Sequence, residues 1–218
     1  MGKDGSRGRI EKVSMRAEAK KSTGKLRAVH IAKEIAYLAL GVALLAVCAW
    51  ITVPIAAIPV TLQTFAVAFL GVLFGPIRGT VATLVYFFMG LIGIPVFSGF
   101  GAGAAALLGP TGGYLIGFLF EVAVGGLFSL IRVKNQIAKT ALCYLGMLLG
   151  LALLYFFGTL WFITVYSGGG SIGVGAALML CVVPYVLPDG VKLFLAAALG
   201  VKLKPYLKSD IKKQKNPQ

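Results

Sequence analysis

Asp189 and Lys192 are an acid and a base one helical turn apart, in a stretch that is otherwise apolar. The 49 residues from Thr140 to Pro188 carry no charge, and then this pair arrives. If the stretch lies in a bilayer, each charge at a helix centre costs roughly 2.5–3.5 kcal/mol on insertion scales. Ionisable residues kept at that cost usually mark a substrate or ion site; the alternative is a structural ion pair that closes a helical bundle. Spacing i,i+3 places both on one helix face. A carboxylate only accepts and an ammonium only donates. Together they can hold a small polar ligand through charge-assisted hydrogen bonds.

Two further motifs carry polar groups inside apolar sequence. Gly109-Pro110-Thr111-Gly112-Gly113-Tyr114 reads as a tight turn entering a helix, with Thr111 as its N-cap. The free N–H groups of that helix start suit a carboxylate; a bare turn and cap is the equal alternative. Pro59-Val60-Thr61-Leu62-Gln63-Thr64 opens another helix. Thr61 can cap it, and Gln63 brings two donors and an acceptor; a polar helix rim explains the same pattern.

Other chemistries find no support. Gly101-Ala102-Gly103-Ala104-Ala105-Ala106 is half a dinucleotide fingerprint without the strand–helix unit it needs. There is no G-x-x-x-x-G-K-[ST] phosphate loop, so this chain does not drive transport with ATP by itself. No His/Cys/carboxylate cluster has metal-ligand spacing, so neither a metal nor a cofactor is expected. The single His30 lies in a charged flank, away from any nucleophile. A membrane enzyme is therefore the least favoured reading. Glu121 is an isolated acid with no evident partner.

The elements that position these residues follow from hydropathy and charge. Hydrophobic residues make up 58% of the 218 and charged residues 13%, against about 25% charged in soluble domains. Mean hydropathy is +0.90. The apolar runs are continuous, which indicates membrane helices and not a barrel. Cys48, Cys143 and Cys181 sit inside those runs and read as buried packing residues. The net charge of +14 is concentrated at the ends: ten of 21 Lys and Arg fall in residues 1–33 and six in 202–215. That distribution fits membrane flanks better than nucleic-acid binding. The stretch Met1–Thr23 reads as low in structure.

Residues 35–77, 79–120 and 140–188 are each free of charge, and each is long enough for two spans of about 20 residues. The expectation is an all-α membrane protein, a bundle of six transmembrane helices over 31–51, 61–75, 79–93, 112–131, 138–165 and 183–201. Residues 1–30 form a basic N-terminal tail, 31–203 the transmembrane domain and 204–218 a basic C-terminal tail. Arg78 and the Arg132–Lys139 stretch share a side with both tails, which the positive-inside rule makes cytoplasmic. Three Gly/Pro-rich connections then face outward. The longest, Gly93 to Gly113, is too apolar for a solvated loop and reads as a lid or re-entrant element. Asp189 falls in the outer third of the last helix, beneath these connections. Ala32, Ala36, Ala39 and Ala43 repeat at small-residue spacing on the first helix, which permits close packing inside the bundle or against a partner.

Taken in order, Ile51-Thr52-Val53-Pro54 with Ile58 to Thr64, Gly75-Pro76-Ile77-Arg78-Gly79, Gly93-Ile94-Pro95-Val96-Phe97, Gly109 to Tyr114, and Pro184 with Asp189-x-x-Lys192 resemble the BioY family. These are biotin-specific substrate-binding subunits (S components) of energy-coupling factor transporters. The likeness covers about residues 35–203; Pro188-Asp189-Gly190 departs from the commoner order, in which Gly precedes the Asp. The resemblance implies biotin uptake across a prokaryotic cell membrane, with biotin as transported ligand and no cofactor. It implies a transmembrane coupling subunit and two ABC ATPases as partners, with the four alanines as the docking surface. It also implies that Asp189 and Lys192 contribute to the pocket. The chemistry agrees: Asp189 can accept from the ureido N–H groups, while Lys192 neutralises it and donates to a ligand oxygen. Gln63 and Thr61 add polar contacts. Phe97, Tyr114, Tyr155 and Trp161 can enclose the ring. Thr111 and the Gly112 and Gly113 amides are candidates for the biotin carboxylate. An S component for another vitamin, or a standalone secondary transporter, remains the alternative.

Overall fold

The computed structural model describes residues 4–54, 58–165 and 172–215, with side chains over 24, 27–29, 31–54, 58–165 and 172–207. The described residues are mostly helical. In chain order they form α1 (Asp4–Trp50), a two-stranded hairpin of β1 (Thr52–Val53) and β2 (Val60–Thr61), α2 (Gln63–Phe74) and α3 (Pro76–Leu91). A 3₁₀ turn (Ser98–Phe100) follows, then α4 (Ala104–Leu108), α5 (Gly112–Phe128), α6 (Gln136–Val165), α7 (Val174–Cys181) and α8 (Val183–Lys215). The chain divides into two compact units, Met1–Ala39 and Leu40–Gln218.

The first unit is the amino-terminal part of α1. Its start corrects the expectation of a tail low in structure, because helix begins at Asp4. Residues 10–21 contain no Gly or Pro and are rich in Glu, Lys, Arg, Ala and Met. These are good helix formers, so local propensity carries the helix onward.

In the second unit, breaks between helices fall where the backbone requires them. α2 ends at Gly75, whose φ of 85° is available to glycine at little cost. Pro76 then occupies the first turn of α3, where its missing N–H is no loss. The third helix accordingly starts three residues before the expected 79. α5 stops at Phe128, short of the expected 131. Lys139 Nζ donates there to the carbonyls of Phe128, Ser129 and Ile131, and Lys204 Nζ to Ser129 O and Oγ. Cations on a helix C-terminus satisfy its free carbonyls and its dipole.

Helix α5 packs chiefly on α6. The approach is close: a Cβ added at Gly150 would lie 2.8 Å from Glu121 Cα. α8 runs through Pro188 and Pro205, so neither ends it. α7 was not expected and meets α8 at a 42° bend. Nor was the hairpin, which pairs Thr52 with Thr61 and Val53 with Val60. The Gly93–Gly113 connection contains the 3₁₀ turn and α4, and buries Val96 and Phe97. The connection at Ser167–Gly170 lies outside the described residues. Cys48, Cys143 and Cys181 are buried free thiols.

Among the described residues, Arg27–Trp50 and α6 are long and apolar enough to cross a membrane, and α7 with α8 makes a third such span if taken as one. α2, α3 and α5 are apolar but shorter, at 12, 16 and 17 residues.

Candidate functional site

Four elements converge on Asp189 and Lys192. The residue lies in α8, 4% exposed. Its Oδ1 accepts from Lys192 Nζ at 2.8 Å and from Thr64 Oγ1 of α2 at 3.0 Å. Its Oδ2 accepts from the Tyr155 hydroxyl of α6 at 2.7 Å. Lys192 Nζ reaches on to the carbonyl of Thr61 in β2, at 2.7 Å. The i,i+3 pair is thus a salt bridge whose two ends also tie α8 to α2, α6 and the hairpin. A carboxylate offers about four acceptor positions, and three are taken. A ligand N–H has one left, and the Thr64 and Tyr155 hydroxyls can rotate to free or share the others.

A second chain of hydrogen bonds begins at Thr61. Its Oγ1 accepts the Gln63 backbone N–H at 3.2 Å and donates to Gln63 Oε1 at 3.0 Å. Thr61 thus takes up the first N–H of α2 from two residues upstream, while the expected N-cap position falls to Leu62, which makes no side-chain cap bond. Gln63 Nε2 donates to the Tyr86 hydroxyl at 2.8 Å, which donates to Val96 O at 2.9 Å. The Tyr86 ring meets Phe97 edge-on at 5.5 Å. The same connection is held by Trp50, whose Nε1 donates to Pro95 O at 2.9 Å and whose ring stacks on Phe100 at 5.1 Å. Thr52 Oγ1 and Ser98 Oγ share a hydrogen bond at 3.1 Å. From the hairpin side, the Tyr185 hydroxyl donates to Ile58 O. The connection expected to form a lid is thus fastened to the hairpin, α1 and α3.

These groups surround a cavity of about 750 Å³, counting its open mouth. Asp189, Lys192, Thr61, Gln63, Phe97, Thr111, Tyr114 and Tyr155 line it. Apolar walls come from Val60, Leu115, Phe118 and Leu154. Few polar groups in an apolar cavity is the usual make-up of a small-molecule site.

Gly112, Gly113 and Trp161 are not in the lining. The Trp161 indole donates to Gly109 O at 3.0 Å and so clamps the turn before α5. A Cβ on Gly113 would fall 2.2 Å from Trp161 Cβ, and one on Gly112 only 1.7 Å from Leu107 O. These glycines allow close packing. The Gly112 N–H is already given to Gly109 O at 3.0 Å. Thr111 sits at the N-cap position of α5 but makes no side-chain cap bond. The lining residues missed in the sequence include Thr64, Ser98, Cys181 and Tyr185. Two left a signal: Thr64 lies one turn from Thr61, and Tyr185 lies four residues before Asp189, on its face.

Glu121 of α5 is 0% exposed, and neither carboxyl oxygen has a hydrogen-bonding partner among the described residues. It interacts electrostatically with Asp189 and Lys192. No group of three or more metal-ligating side chains occurs among the described residues. Ala32, Ala36, Ala39 and Ala43 are all exposed along α1.

A BioY family model matches residues 15–209. A Pyrococcus horikoshii protein named "Probable biotin transporter BioY" is 38% identical over 172 residues, covering 79% of this chain and 96% of its own length. The Thermotoga maritima biotin transporter BioY is 36% identical over 167 residues, covering 74% of this chain and 90% of its own. Among solved structures, the S-component for biotin from an ECF-type ABC transporter superposes with a TM-score of 0.69 at 27% identity. It covers 81% of this chain and 93% of that one.

Proposed function

This chain belongs to the BioY family, and we propose from that premise that it binds biotin and takes it up as the substrate-specificity subunit of an ECF-type ABC importer. The observation that carries the reading for this chain is the Asp189–Lys192–Thr64–Tyr155 cluster in the wall of an otherwise apolar cavity. Biotin presents a ureido group with two N–H donors and one carbonyl, then a sulfur ring and an aliphatic tail. One ureido N–H takes the remaining acceptor position on Asp189. The Tyr155 or Thr64 hydroxyl turns to meet the ureido carbonyl or the second N–H. Gln63 and Thr61 flank the same end, with Gln63 held in place by Tyr86. Phe97, Tyr114 and the Leu115–Phe118–Leu154 wall enclose the ring.

The chain performs no reaction and needs no cofactor beyond its transported ligand. It is a multi-pass protein of the cell membrane with six spans, both termini cytoplasmic, residues 31–203 binding biotin and basic tails on either side. α2, α3 and α5 reach only about 18–26 Å at 1.5 Å per residue, against a hydrocarbon core of about 30 Å. They span together with the ordered hairpin and connections at their ends. Transport is driven by a transmembrane coupling subunit and two ABC ATPases, with the exposed alanines of α1 as the docking face. A calorimetric titration of the purified protein with biotin, with thiamine and riboflavin in parallel, tests the reading. Saturable binding of biotin alone is expected; no binding of biotin, or tighter binding of another vitamin, refutes it.

A further inference from the structure

We propose that the cavity holds biotin by its ureido end and sets no charge requirement on the carboxyl end, so that biotin amide and biotin methyl ester are ligands too; this rests on the biotin-binding reading. A carboxylate is selected over an amide when a cation or a cluster of free N–H donors meets it. Among the described residues that line the cavity, there is no cation beyond the ureido cluster. Between residues 35 and 191 the basic side chains are Arg78, Arg132, Lys134 and Lys139, and none lines the cavity. Arg78 follows the far end of α2, whose first residues line it. Segments 55–57 and 166–171 contain no basic residue either. Lys192 is the cation in the lining, and its Nζ is engaged by Asp189 Oδ1 at 2.8 Å and Thr61 O at 2.7 Å. The start of α5, the other anion site the sequence offers, does not turn Gly112 or Gly113 into the cavity wall, and three of its amides are spent within the chain. Gly112 N–H donates to Gly109 O, and Tyr114 and Leu115 N–H both donate to Thr111 O. Away from the ureido cluster, the polar lining is the hydroxyls of Ser98, Thr111, Tyr114 and Tyr185 and the Cys181 thiol, none of them a cation. A hydroxyl serves an amide or ester as well as a carboxylate.

The test is a competition series on the purified full chain with biotin, biotin amide, biotin methyl ester and a biotin methylated on a ureido nitrogen. Losing a charge-assisted bond weakens binding about tenfold or more. The amide and ester should therefore bind within about fivefold of biotin, and the ureido-methylated compound more than about tenfold weaker. An amide more than about tenfold weaker than biotin overturns the inference while leaving biotin binding intact, and assigns the third Lys192 proton to the carboxylate. Undiminished binding of the ureido-methylated compound also overturns it. If biotin itself does not bind, the functional reading fails and this inference with it.

Discussion

Asp189→Asn keeps the shape of the side chain and removes its charge, and its consequences can be worked from three distances. The carboxylate gathers Lys192 Nζ at 2.8 Å, Thr64 Oγ1 at 3.0 Å and Tyr155 OH at 2.7 Å. Asparagine keeps one acceptor oxygen and turns a donor toward one of these donors. Stranding a buried charge typically costs about 3–5 kcal/mol. Lys192 keeps its bond to Thr61 O and is 12% exposed, so the stability loss belongs at or below the lower end of that range. For binding, one charge-assisted acceptor is worth about 1.5–3 kcal/mol, which is roughly a ten- to 150-fold weaker biotin Kd. Thermal unfolding in detergent reads the first quantity and calorimetry the second. The double variant Asp189→Asn/Lys192→Met separates them. It strands no charge, so the midpoint recovers in part, while the ureido acceptor stays absent and binding stays weak. Asp189→Asn with biotin affinity within about threefold of wild type refutes the assignment. So does a double variant that regains wild-type affinity, because the pair then serves only to close the bundle.

Tyr86→Phe keeps the ring against Phe97 but leaves Gln63 Nε2 and Val96 O without their partner. A loss of about 1–3 kcal/mol is expected, with faster biotin dissociation in stopped-flow displacement; an unchanged off-rate refutes the coupling of Gln63 to the covering connection. Gly112→Ala drives a Cβ to 1.7 Å from Leu107 O, and backbone cannot give as a side chain can. The thermal midpoint should fall by the equivalent of about 3 kcal/mol or more, and a midpoint like wild type disproves the packing. Glu121→Met removes, at similar volume, two buried oxygens that have no hydrogen-bonding partner among the described residues. An unsatisfied buried group costs about 1–3 kcal/mol, so the midpoint should rise; a marked fall shows that Glu121 holds a partner the described residues do not supply.

What the sequence revealed about the site depended on how rare each residue type is in its setting. Asp189 and Lys192 stood out because a charge in an apolar run has few bland explanations, and the structure joins them directly. Tyr86 did not stand out, and Tyr185 did so only by its place one turn before Asp189, because a tyrosine among Phe, Leu and Val reads as core. Their function lies in the hydroxyl, and its acceptors, Val96 O and Ile58 O, are 10 and 127 residues away. No local pattern encodes such a distance. Gly112 and Gly113 misled in the opposite direction. Glycine at a helix start fits both an exposed anion-binding turn and a backbone pressed against its neighbour, and only the position of Leu107 and Trp161 decides between them. The main helices α2, α3, α5 and α6 were legible to within a few residues from the charge-free blocks of over 40 residues and their central turns, whereas α4 and α7 were not, and α1 and α8 extend beyond the expected 31–51 and 183–201. The hairpin was not legible either, since two-residue strands carry too few alternations to show a period. Yet the hairpin brings the Thr61 carbonyl within 2.7 Å of Lys192. The ammonium is therefore held by backbone from 131 positions earlier as well as by its neighbour one turn away. A cation fixed from two sides is poorly placed to follow a ligand carboxylate, which is why the neutral-ligand experiment and the Asp189 double variant probe the same geometry from opposite ends.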